Sequence, residues 1–107
     1  MSTEPGLDLH SWESEWQQLE PLVRDSPAEA LPELHDLIER MLQERGILGE
    51  DRSAAEGADP ELLAEYVAGS DVVARLERSE IVDHGDIASA VGGYRALYEF
   101  ITHERPS

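Results

Sequence analysis

A chain of 107 residues, 40% hydrophobic and 30% charged, carries enough apolar material for one core and too little length for two, which excludes both a disordered tail and a multidomain assembly. Acidic residues number 24 against 8 basic ones, a net charge of −16, with 11 acids and 3 arginines up to Gly49 and 13 acids and 5 arginines after it. No basic stripe exists to grip nucleic-acid phosphates or an anionic membrane, and the absence of cysteine removes disulfides, thiolate catalysis and cysteine-based zinc sites.

In the first segment Leu9, Trp12, Trp16, Leu19 and Val23 fall at steps of three and four, the spacing of one helix face. Pro21 removes a hydrogen bond and clashes with the preceding turn, so the pattern predicts a helix near 9–20 with a kink or break after it. Ser26-Pro27-Ala28-Glu29 reads as an N-cap, a proline at the first helical position and the third member of a capping box. Pro32 implies a bend or a separate opening turn. Leu34, Leu37, Ile38, Met41 and Leu42 then form one face, with Asp36 and Arg40 paired four apart on the other. Gly46 suits the left-handed residue that ends a helix, and Ile47 the fold-back of a Schellman motif.

Residues 47–59, "ILGEDRSAAEGAD", lose periodicity and predict a mobile loop. Asp59-Pro60 restarts the chain as N-cap and first helical residue, and Leu62, Leu63, Tyr66, Val67, Val73, Ala74 and Leu76 carry an apolar face through Gly69-Ser70, a weak point in a continuous helix. Asp83 is an N-cap for the last helix, in which Ile87, Val91, Tyr94, Leu97, Tyr98 and Ile101 form one broad stripe. The expected architecture is all-α: a single small bundle of three to four helices near 9–20, 27–45, 60–78 and 84–103, between flexible termini at 1–8 and 104–107. Its expected core is Trp12, Trp16, Leu34, Leu37, Ile38, Met41, Leu63, Val67, Val91, Tyr94 and Leu97.

Candidate chemistry is sparse. His10, His35, His84 and His103 sit in different segments outside any metal motif, although Glu99 and His103 stand four apart, and Asp83-His84-x-Asp86 is accounted for by helix capping. Serines and threonines lie outside any nucleophile elbow, and Gly92-Gly93 has neither the strand nor the lysine of a phosphate loop. No catalytic residue, metal or cofactor is expected. Trp12 and Trp16 read either as core anchors or, with Tyr98, as partner contacts. Gly92 and Gly93 cost about 1 kcal/mol each against alanine in a helix, which implies close approach of a neighbouring helix or a cleft left open for a partner.

The stretch "WESEWQQLEPLVRDSPAEALPELHDLIERMLQERG" resembles a segment of small, acidic, helical proteins of unassigned function from high-GC Gram-positive bacteria, in its tryptophan-rich opening, its D-S-P helix start and its L-x-x-L-I-x-x-M-L face. The resemblance implies a bacterial cytoplasmic setting and no activity. With no targeting or membrane-spanning segment in view, the expectation is a cytoplasmic, non-enzymatic interaction or adaptor domain whose partner is another protein, the acidic surface serving either solvation or steering towards a basic partner surface. Two alternatives are an acidic nucleic-acid mimic that blocks a DNA-binding protein and a metal-dependent enzyme.

Overall fold

The structure, a computed structural model, describes residues 5–49 and 56–103, with side chains described for 11–49 and 56–102. Four helices make an all-α bundle: α1 (Pro5–Asp25), α2 (Pro27–Glu44), α3 (Pro60–Glu77) and α4 (His84–His103). Proline opens the first three, where its missing N–H is no loss. Paired contacts fix the directions of the helices: α1 and α2 are joined through Ser26 alone and meet again at Glu15–Arg40, α2 and α3 meet at Glu39–Tyr66 and His35–Ser70, and α1 and α4 meet at Glu20–Arg95 and Trp16–Tyr98, so α2 runs antiparallel to α1 and α3, and α4 antiparallel to α1.

α2 is the central element and packs on the other three helices. Its Ala30, Leu31, Leu34, Leu37, Ile38, Met41 and Leu42 are wholly shielded from solvent, and each of the larger ones contributes about 1.5–3 kcal/mol by burial. The helix ends as its sequence predicts. Gly46 takes φ 77°, its N–H donates to Gln43 O at 3.1 Å and that of Ile47 donates to Leu42 O at 2.8 Å, the two bonds of a Schellman motif. α3 ends the same way around Ser79 at φ 62°, with Ser79 N donating to Leu76 O and Glu80 N to Arg75 O.

Several expectations need correction. Helix α1 begins at Pro5, within the stretch expected to be a flexible terminus, and runs through Pro21 to Asp25. Pro21 and Gln17, the residue whose carbonyl the proline cannot bond, both lie on the exposed side of the helix, while half-buried Val23 packs the final turn against the core. Pro32 likewise lies inside a continuous α2. Ser26, at φ −146° and ψ 73°, departs from the extended backbone of a capping residue and makes no side-chain cap, whereas Asp59, at ψ 120°, accepts from Glu61 N at 2.8 Å. Arg40 pairs with Glu15 across the helix interface, not with Asp36.

Val67 is 62% exposed, because α3 buries the face of Tyr66, Gly69, Val72 and Val73 and the helical repeat places Val67 on the side away from the centre of that face. Leu63 and Val91 pack against the core but remain half-buried. Leu48, assigned to the mobile loop, is 4% exposed and belongs to the core. Residues 50–55 of that loop, the terminal residues 1–4 and 104–107, and the side chains of Leu9, His10 and His103 lie outside the described residues. No described helix is long and apolar enough to cross a membrane.

Candidate functional site

The two tryptophans are core anchors. Each is 5% exposed, which leaves neither a face for a partner and corrects their reading as contact residues. Trp16 stacks on Tyr98 with ring centroids 4.3 Å apart and planes 10° from parallel, and its Nε1–H donates to Glu20 Oε2 at 2.6 Å. Arg95 donates to the same oxygen at 3.0 Å and lies over the Trp16 ring, while Arg45 lies over Trp12 and donates to Ile101 O at 3.2 Å. Tyr98 is half-buried in this clasp between α1 and α4, and burial, aided by Glu13 and Glu20, raises its phenol above the ordinary range.

The adjacent glycines separate. Gly93 is buried, and a Cβ there would sit 2.6 Å from Glu65 Oε1, so it makes room for a side chain of α3 and not for its backbone. Gly92 is exposed, meets nothing within 4 Å and lines a depression of about 460 Å³ beside Glu65, Ala68 and Val72. A glycine on which a neighbour does close in is Gly69, where a Cβ would fall 2.5 Å from the Tyr94 ring. Sequence reasoning took Gly69 for a weak point; only the position of Tyr94, 25 residues on, shows that it is a contact.

Tyr94 is also the centre of a polar chain that sequence reasoning missed. Its buried hydroxyl lies 2.9 Å from His35 Nδ1, and His35 Nε2 lies 3.1 Å from Glu39 Oε1, which also accepts from Tyr66 OH at 3.1 Å. A carboxylate only accepts, so in the neutral ring the proton sits on Nε2 and Tyr94 donates to Nδ1. Burial holds the Tyr94 phenol far above its ordinary range, against the opposing effect of the Ser70 hydrogen bond. The available signals were His35 and Glu39, and Tyr66 and Ser70, each pair one helical turn apart.

Ser70, His35 and Glu39 have the residue types of a nucleophile, base and acid. Ser70 Oγ is, however, 3.5 Å from Nδ1, beyond good hydrogen-bond length, and Tyr94 already occupies that nitrogen. All three side chains project from helix interiors, where backbone N–H groups are committed to the helix and cannot stabilise an oxyanion. The geometry is that of a hydrogen-bonded lock joining α2, α3 and α4. Among the described residues no three His, Asp or Glu side chains converge as a metal would require.

An apolar groove remains, of about 530 Å³, where α1 ends, α2 begins and the first two turns of α4 pass. Val23, Pro27, Ala28, Ile87, Ala88 and Val91 line it, with Ser26, Glu29 and His84 at its polar edges. Its volume is within the range of ligand pockets. A single residue, Ser26, separates α1 from α2 at this corner.

The charges around the bundle are distributed unequally. Arg40, Arg75, Arg78 and Arg95, four of the six arginines with described side chains, form ion pairs with Glu15, Asp71, Glu80 and Glu20. Among the described residues most arginines thus have a carboxylate beside them, and exposed carboxylates outnumber exposed arginines. Comparison with known protein families, curated proteins and solved structures finds no match.

Proposed function

We propose that this protein is a small acidic interaction domain that recognises a basic partner protein. The observation that carries the reading is the pairing of arginines within the molecule: four of the six with described side chains are tied to carboxylates of the same chain, in a protein whose net charge is −16. Such a surface raises the encounter rate with cationic partners and repels anionic ones, and its reach shrinks to about 10 Å at 0.1 M salt. The polar lock and the tryptophan clasp are both internal, which leaves the surface to serve recognition.

The test is titration with a synthetic amphipathic helix bearing leucines on one face and lysines elsewhere, against the same helix with glutamates in place of lysines. Saturable binding of the lysine helix that weakens as salt rises, with no binding of the glutamate helix, is the expected result. Absence of binding to the lysine helix at low salt, or equal binding of both, would overturn the reading.

A further inference from the structure

We infer that the groove between α1, α2 and the start of α4 is the docking site for a basic amphipathic helix of the partner, an inference that rests on the reading above. His84, Ile87, Ala88 and Val91 stand at positions i, i+3, i+4 and i+7 of α4, the seam that one helix offers to another. Within the bundle this seam is only partly covered. α1 crosses α4 at Trp16–Tyr98 and Glu20–Arg95, reaches the groove with Val23 and stops at Asp25. Ile87 forms the floor at 6% exposure, whereas Ala88 and Pro27 are open to solvent.

Small side chains at Ala28 and Ala88 on facing walls leave room for the larger apolar side chains of an incoming helix.

Charge selects the occupant. Glu29 lines the groove, and Asp25 and Asp83 flank groove residues in the chain, with Arg24 as the one arginine in these turns; Asp86 belongs to the depression beside Gly92. The N-termini of α2 and α4 each add about half a positive charge, and with Arg24 these are still outweighed by the three carboxylates. An apolar stripe bordered by lysine or arginine complements this corner; an acidic or uncharged helix does not.

The experiment uses the leucine–lysine helix, about 18 residues or five turns long, with the full chain and two variants of equal net charge. Ala88→Arg fills the groove with a cation, and Ala96→Arg adds the same charge at an exposed position of α4 outside the groove. Docking in the groove predicts a loss of about tenfold or more in affinity for A88R and less than about twofold for A96R, with unchanged helix content in both. It also predicts that a serine–lysine helix lacking the leucines binds at least about tenfold more weakly. Equal losses in the two variants, or equal binding of the serine–lysine helix, would overturn the groove while leaving recognition of basic partners intact. Failure of the leucine–lysine helix to bind the unmodified protein would overturn both. A wild-type dimer that A88R converts to monomer in sedimentation would make a second copy the occupant and overturn the inference.

Discussion

Replacing Gly69 with alanine places a Cβ 2.5 Å from Tyr94 Cζ, 2.7 Å from its hydroxyl oxygen and 2.8 Å from Cε1, distances that packed carbons do not tolerate. The ring cannot simply swing aside, because Tyr94 is wholly buried and its hydroxyl is bonded to His35 at 2.9 Å. Alanine gains about 1 kcal/mol of helix propensity. Against that stand about 1–3 kcal/mol of overpacking and about 1 kcal/mol for a disturbed hydrogen bond, a net loss of about 1–3 kcal/mol. At about 4 °C per kcal/mol for a domain of this size, the melting temperature followed by helical circular dichroism falls by roughly 4–12 °C. Gly92→Ala, which meets open space, raises it by about 4 °C. Gly93→Ala displaces only the carboxylate end of exposed Glu65 and is neutral to stabilising by up to about 1 kcal/mol. A Gly69→Ala variant as stable as the parent would refute the reasoning, as would three alanine variants that all shift the same way.

Tyr94→Phe removes a buried donor from the lock and costs about 0.5–1.5 kcal/mol in urea denaturation at neutral pH. Because burial raises the Tyr94 phenol above its unfolded value of about 10, its contribution is complete below that pH and lost above it, at up to about 1.4 kcal/mol per pH unit. The parent therefore loses stability between pH 10 and 12 more steeply than Tyr94→Phe, in which only the shift at Tyr98 and any others remain. Ser79→Gly relieves a left-handed residue at the exposed end of α3 and raises stability by up to about 1 kcal/mol, read from the denaturation midpoint; a loss would refute the strain at φ 62°.

The helices were legible because their ends are written locally: prolines at Pro27 and Pro60, a capping Asp59 and a left-handed Gly46 act within one turn of themselves. The passage of α1 through Pro21 was not legible, since the cost of that proline depends on whether the bereft carbonyl faces water. Periodicity could not decide between Tyr66 and Val67, adjacent apolar residues of which α3 buries one. The lock escaped for another reason: it joins residues 35, 39, 66, 70 and 94, and no local rule connects them. The groove is an intermediate case. The stripe of Ile87, Ala88 and Val91 is visible in the sequence, but its exposure depends on where α1 stops and how tightly α2 turns back.

The most direct test of a basic helix docking in this groove is a map of backbone amide shifts in isotope-labelled protein titrated with the leucine–lysine helix. Groove docking predicts that the largest changes cluster at Val23, Ala28, His84, Ala88 and Val91 and saturate together. Changes scattered over the acidic faces of all four helices, with those five residues no more affected than Glu61 or Asp71, would contradict it.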